Sequence, residues 1–327
     1  MATDQHPDPA AALEPGATLG DIGEFALISA LTQRFPQGEQ VLIGPGDDAA
    51  VLRVRTGHVV VSTDLMVEGR HFRRDWASAA DVGHRAAAQN ISDINAMGGT
   101  ATSLTIGIAA PVDLEAQWLL DFAQGFADEC ALVGASVVGG DLTRGDQVVV
   151  AVTVLGACTV APVVRSGAGP GDVLAVAGRQ GWAAGGLAVL GRGFRSPRVL
   201  VEAYRRPEPP YAAGPAAADA GATSMIDVSD GLLSEVAHLA TASGVRIDVR
   251  SADLEVPEPL HAVAAALGGV DPVGFVLSGG DDHALLATFP ADADLPEGWA
   301  VIGSVAEGEG VTVDGAVRTG DTGWTHF

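Results

Sequence analysis

Six short stretches of the chain set an aspartate close to glycine beside an apolar run: "GPGDDAAVL" from Gly44, "STDLMVEGRHF" from Ser62, "QNISDINAMGG" from Gln89, "GGDLTRG" from Gly139, "IDVSDGL" from Ile226 and "SGGDDHALL" from Ser278. They constrain the fold because each marks where a strand or helix is expected to stop, which cuts the chain into many short elements. Glycine tolerates φ > 0 and close approach of a ligand to the backbone. An acid beside it can therefore project from the end of an element into a cleft. Asp and Gly are also ordinary turn formers, and any one stretch taken alone reads equally well as a turn. The set is harder to dismiss. Asp48, Asp64, Asp93, Asp141, Asp227 and Asp230 are each expected at or near the end of an apolar element, and only Asp141 has an obvious basic partner in its own motif, Arg144 three residues on.

The segments between these stretches alternate in type. "IGEFALISALTQRF" places Ile22, Phe25, Ile28, Leu31 and Phe35 on one helical face. "AAVLRV" and "HVVVSTD" read as strands, "SAADVGHRAAAQNISDINA" as a helix stopped at Gly98–Gly99, and "TSLTIGIAAP" as a strand. A helix over "DLEAQWLLDFAQGFADECALVG", with Asp113 near its start, precedes the strands "ASVVGGD" and "QVVVAVTVLGA". Pro and Gly concentrate in "VAPVVRSGAGPGD", and a second α/β pattern follows. There "DVLAVAG", "TSMIDVSD", "VRIDV", "HALLATF" and "WAVIGSV" are strands, and "GWAAGGLAVLG" and "GLLSEVAHLATASG" are helices. The expectation is a layered α/β protein with a disordered tail over 1–20 and domains over 21–160 and 161–327. The chain's 327 residues suit two cores.

Composition removes several function classes. A net charge of −23 argues against nonspecific binding to nucleic acid or an anionic membrane. No apolar run approaches the roughly 20 residues of a membrane span, and the first residues lack the pattern of a signal peptide. All 18 basic residues are arginine, so Walker A, Schiff-base and kinase-type catalytic lysines are excluded together. Cys130 and Cys158 form neither a disulfide framework nor a metal spacing, which fits a reducing cytoplasm.

Carboxylate pairs about 4 Å apart would repel by about 4 kcal/mol at an effective dielectric near 20. If the six acids converge, they must be protonated or shared with cations. Hard oxygen donors without thiolate select Mg²⁺ or Ca²⁺. A calcium loop of the EF-hand kind needs alternating acids within a dozen residues, and no stretch supplies them. Acids scattered one or two per stretch fit Mg²⁺, which takes few carboxylates per ion and completes its shell with phosphate oxygens.

Taken in order, "G-x-G-D-D-A-A", "S-T-D-x-x-V-x-x-x-H-F", "N-x-S-D-x-x-A-M-G", "G-G-D-x-T-R-G", "R-S-G-A-x-P-G-D", "D-x-S-D-G-L" and "L-S-G-G-x-D" resemble the thiamine-monophosphate kinase family, within the superfamily typified by aminoimidazole ribonucleotide synthetase. The resemblance runs from "GDIGEFALI" to "GWTHF". It implies a two-domain fold in which the N-terminal domain binds ATP and Mg²⁺ and dimerises through a shared barrel-like sheet, while the C-terminal α/β domain completes the site. It implies a homodimer that transfers a phosphoryl group directly from ATP to thiamine monophosphate, the last step to thiamine diphosphate, with several Mg²⁺ ions and no phosphoenzyme.

Carried over position by position, the resemblance makes Asp48, Ser62, Thr63, Asp64, Asp93, Asp141, Asp227 and Asp230 metal ligands, with Asp48, Asp64, Asp93 and Asp227 bearing most of the catalytic burden. Gly140, Asp141, Arg165 and Ser229 are implied on the nucleotide side, and His71, Asp281 and Trp324 on the thiamine phosphate. Arg165 alternatively pairs with Asp172, and Arg144 either binds a phosphate or neutralises Asp141. The chain departs from the family after "SGG", where Glu-Asp-Tyr is usual and Asp281-Asp282-His283 stands. Within the superfamily, "STDLMVEGRHF" favours the kinase over the ring-closing synthetase, and selenophosphate synthetase would carry an early reactive cysteine. An inactive nucleotide sensor is the reading from another class.

Overall fold

The structure is a computed structural model that describes residues 16–22, 24–43, 51–53, 58–318 and 323. Asp48 and Trp324 lie outside the described residues. In chain order the elements are α1 (Leu19–Ile22), α2 (Glu24–Thr32), β1 (Val41–Ile43), β2 (Val51–Leu52), β3 (His58–Val67), α3 (Ala79–Ala96), β4 (Thr100–Ala110), α4 (Ala116–Val133), β5 (Ser136–Arg144) and β6 (Val149–Cys158). They continue with β7 (Val173–Ala177), α5 (Trp182–Gly191), α6 (Arg198–Arg205), α7 (Ala213–Asp219), β8 (Ser224–Val228), α8 (Leu232–Ser243) and β9 (Arg246–Val249). Last come α9 (Glu258–Ala266), α10 (Val273–Ser278), β10 (Ala284–Phe289), β11 (Trp299–Ala306) and β12 (Gly310–Val313).

The chain divides into two compact units, one drawing on Val61–Asn90 and Thr102–Leu155, the other on Ile91–Ala101 and Gly156–Phe327. The sheet of the first has the order β3-β6-β4-β5, with β4 and β5 parallel and Ile106 opposite Gly140. It is curled into half a barrel. Strand β6 alternates strictly between half-buried and buried residues, so Val150, Val152 and Val154 face the core. Where α3 and α4 cross, backbones touch: a Cβ on Gly83 would lie 2.0 Å from the Phe122 carbonyl oxygen, and one on Gly125 would lie 2.1 Å from that of Ala80. Only glycine fits either place. Gly125→Ala is expected to cost about 1–3 kcal/mol through overpacking, read as a lowered midpoint in denaturant unfolding.

The sheet of the second unit has the order β12-β9-β11-β7-β10-β8. Its pairs are antiparallel except β12 with β9. Strand β10 is buried along its whole length because it is flanked by β7 and β8. Phe289 of β10 meets Trp299 of β11 edge to face, with ring centroids 5.3 Å apart. Among the described residues no helix is long and apolar enough to cross a membrane.

Three local expectations need correction. "STD" and "GGD" fall in strands as read, but neither acid closes its strand: β3 runs past Asp64 to Val67 and β5 runs past Asp141 to Arg144, while Asp93 falls in α3 as read. Backbone pairing with a neighbouring strand overrides the turn preference of Gly and Asp. The first amphipathic helix has a different register, since Leu27 is 2 % exposed and Ile28 is 36 % exposed. Helix α4 starts at Ala116 with Glu115 in the capping position, so Asp113 precedes it.

Candidate functional site

In the first unit the residues of interest sit on β3, β5 and the turn after β3. Alternation along β3 turns Met66 into the core and leaves Val61 and Leu65 outside, 64 % and 57 % exposed. Asp64 shares the Met66 face, and its Oδ2 accepts a hydrogen bond from Gln89 Nε2 of α3 at 3.2 Å. Thr63 is on the opposite face, where its Oγ1 lies 2.9 Å from Thr153 Oγ1 of β6. Its hydroxyl therefore does not join Asp64, and only its main-chain carbonyl remains as a possible ligand. His71 is held by its own turn. The Val67 N–H donates to His71 Nδ1 at 3.0 Å, and the His71 N–H donates to the Val67 carbonyl at 2.9 Å. With Nδ1 accepting, the ring proton of the neutral tautomer sits on Nε2, a donor suited to a phosphate oxygen.

Gly140 and Asp141 lie on β5 at the other edge of that sheet from β3. A Cβ on Gly140 would stand 2.2 Å from the Ile106 carbonyl oxygen, so a bare backbone is required there. Asp141 and Arg144 make no ion pair among the described residues, and three positions apart on a strand they point to opposite faces. Neutralisation of Asp141 by Arg144 is thereby set aside.

In the second unit, "DVSDG" and "SGGDDH" fold against each other. Glycine makes this possible: a Cβ on Gly280 would lie 2.2 Å from the Ser229 carbonyl oxygen, and one on Gly231 would lie 2.8 Å from that of Ser278. The Asp281 N–H donates to the Ser229 carbonyl at 2.8 Å, and the His283 N–H to the Val228 carbonyl at 3.1 Å. These contacts bring Asp227, Ser229, Asp230 and Asp281 together. Asp227, at the end of β8, is 6 % exposed, and His283 Nδ1 lies 3.2 Å from its Oδ2. Asp93 and Ser92 come from α3, and Ser92 Oγ donates to the His283 carbonyl at 3.5 Å.

Two buried carboxyl groups here escaped the sequence reading. Glu235, 3 % exposed on α8, accepts the Asp230 N–H at 3.3 Å through Oε1. Burial first, then the charges of Asp227 and Asp230, push its pKa up to about 8, against the pull of Arg165. Asp282 is 5 % exposed, and its Oδ1 accepts the N–H of Ala183 at the start of α5 at 2.8 Å. Burial is the main cause of its rise to about 7. An acid in the first turn of an amphipathic helix was the one available signal for Glu235; for Asp282 it was the doubled acid after "SGG".

Arg165 does not pair with Asp172, whose Oδ2 takes the Gly169 N–H at 2.9 Å and the Thr223 hydroxyl at 2.7 Å. Its charge acts on Glu235 instead, at the edge of the carboxylate group. Gly323, the residue before Trp324, packs on the start of α8, where a Cβ on it would lie 2.6 Å from the Asp230 carbonyl oxygen.

Among the described residues no three His, Cys, Asp or Glu side chains gather closely enough to hold a metal ion by themselves. The donors are carboxylate, hydroxyl and carbonyl oxygens. Repulsion among Asp227, Asp230 and Glu235 is the kind a divalent cation relieves. Both cysteines are buried, and burial pushes both thiols up, so neither competes as a ligand.

Fold and motif order together define the class. The chain matches the AIR synthase related protein N-terminal domain over 46–158 and the AIR synthase related protein C-terminal domain over 169–315. A thiamine-monophosphate kinase of Mycobacterium tuberculosis is 46 % identical over 95 % of this chain and 93 % of its own length. The crystal structure of thiamine-monophosphate kinase from Stenotrophomonas maltophilia superposes with a TM-score of 0.79 at 31 % identity, over 91 % of this chain and 98 % of that one. A structure described as AaThiL complexed with AMPPCP and TMP gives 0.76 at 29 % identity, over 95 % of this chain and 99 % of that one. Within the AIR synthase related class, the chain belongs to the thiamine-monophosphate kinase family.

Proposed function

We propose that this protein phosphorylates thiamine monophosphate with ATP, giving thiamine diphosphate and ADP by direct in-line transfer. The observation that carries the reading is the packing of "DVSDG" against "SGGDDH", with Asp227 tethered by His283, in a chain 46 % identical to a thiamine-monophosphate kinase. The acceptor is a phosphate oxygen already ionised at neutral pH, so no strong general base is needed. The obstacle is bringing two anions together, and positioning with charge neutralisation supplies most of the catalysis. Mg²⁺, when bound, would neutralise phosphate charge. Asp48, Asp64, Asp93, Asp141, Asp227 and Asp230 would hold it, with oxygens of Ser62 and Thr63. Gly140, Arg165 and Ser229 are assigned to the nucleotide. His71, through its Nε2–H, Asp281 and Trp324 are assigned to thiamine monophosphate.

The protein works as a cytoplasmic homodimer in this reading. Val61 and Leu65 of β3, with the half-buried Val149, Ala151, Thr153 and Leu155 of β6, form an apolar sheet face suited to a second copy. The test is incubation with ATP, MgCl₂ and thiamine monophosphate, with chromatographic detection of thiamine diphosphate. Stoichiometric conversion is expected, and ATP binding without product would favour a sensor.

A further inference from the structure

We propose that His283 is a positioning residue for Asp227: its imidazole holds one carboxylate oxygen and leaves the other turned out toward a divalent cation. The proposal rests on the reading that Asp227 takes such a cation. Asp227 Oδ2 is engaged by His283 Nδ1 at 3.2 Å, while Oδ1 has no hydrogen-bond partner among the described residues. Both residues are buried, at 6 % and 5 % exposure, so water competes poorly for the contact.

The backbone around His283 is tied down from several sides. Its N–H reaches the Val228 carbonyl at 3.1 Å, one residue beyond Asp227, and its own carbonyl accepts from Ser92, the neighbour of Asp93. The preceding Asp282 is anchored on α5 through the Ala183 N–H. Asp281 and His283 adopt φ of 68° and 52°, the left-handed region, which non-glycine residues enter only at a cost. Such strain persists where the surroundings over-determine a conformation and clusters at functional sites. Here it turns the ring from β10 back onto the end of β8. The contact spans 56 positions in sequence, so the tertiary fold sets it rather than the local turn.

A hydrogen-bonded partner behind a ligating carboxylate fixes its orientation, and losing such a partner typically costs about 10–100-fold in metal affinity or activity. The chemistry separates two substitutions. Asn tolerates the left-handed region and places its amide where Nδ1 stands, so His283→Asn keeps a donor for Asp227. His283→Phe keeps the ring and removes the donor. His283→Gln, whose amide sits one bond farther out, covers the case in which the Phe variant does not fold. Mn²⁺ binding to each purified protein is measured by electron paramagnetic resonance with a non-hydrolysable ATP analogue and no thiamine monophosphate. Thermal unfolding without cation reports whether each variant is folded.

The expected result is about 10–100-fold weaker Mn²⁺ binding by the Phe and Gln variants and near wild-type binding by the Asn variant. In an Asp227→Asn background, His283→Phe should cost nothing further. Equal binding by wild type and both donor-displacing variants overturns the proposal. So does a loss in the Asn variant as large as in the Phe variant, or an undiminished loss in the Asp227→Asn background. Wild-type protein that takes up no Mn²⁺ overturns the metal reading and this proposal with it. Wild-type binding with an unaffected Phe variant overturns this proposal alone.

Discussion

Asp227→Asn is expected to lower kcat for thiamine diphosphate formation by about 10³-fold while leaving the protein folded. The substitution removes a full negative charge and preserves shape. Asn can still accept from His283 Nδ1 through its amide oxygen, so the contact at the end of β8 survives. What disappears is the anionic oxygen that, in the proposed function, would face a divalent cation and, through it, the phosphates. Charge stabilisation of that kind is worth several kcal/mol in the transition state, and about 4 kcal/mol corresponds to three decades in rate. Steady-state kinetics at saturating ATP and MgCl₂, beside a thermal unfolding curve matching wild type, check it. A folded Asn variant within about tenfold of wild type would remove Asp227 from the set of ligands. Asp93→Asn should behave in the same direction.

The elements that could be read from sequence are those whose apolar runs are long and bounded by Gly or Asp. Strands β4, β7, β8 and β10 and helices α3, α5 and α8 fall where the pattern put them. Helices α7 and α9 did not declare themselves, since Ala, Gly and Pro dominate "AGPAAAD" and "EPLHAVAAA" and leave little periodicity. The same limit applies within the site. Asp227, Ser229 and Asp230 belong to one local stretch, so their grouping was legible. The orientation of Thr63 was available too, because period-two alternation already separates it from Asp64 once β3 is seen to continue through both. His283 registered only as a departure from a family pattern. Its meaning depends on a partner 56 residues away, and nothing local in "SGGDDH" reports that contact.

Glu235 supplies the second large effect, one of stability. A carboxyl raised from its ordinary 4.5 to about 8 holds a proton in the folded state that the unfolded chain has already released. Across that window the folded state binds more protons, so stability falls as pH rises from about 4.5 and levels off above about 8. Each pKa unit is worth about 1.4 kcal/mol, and the full window comes to about 3–5 kcal/mol. Burial is the first cause and repulsion by Asp227 the next, so the penalty is intrinsic to the carboxylate group. Glu235→Gln has nearly the same shape and carries no titratable proton, so its stability should lack this component. With divalent cations chelated, the unfolding temperature of the Gln variant minus that of wild type is expected to grow between pH 5 and pH 8.5, by roughly 10 °C in all. The difference between the two proteins removes the titration of every group they share. MgCl₂ should shrink the gap at pH 8.5, because a cation held by Asp227 and Asp230 would favour the ionised form of the neighbouring Glu235 that burial opposes. Parallel pH profiles for the two proteins would show that Glu235 is ionised in the folded state and that the repulsion assigned to this carboxylate group is absent.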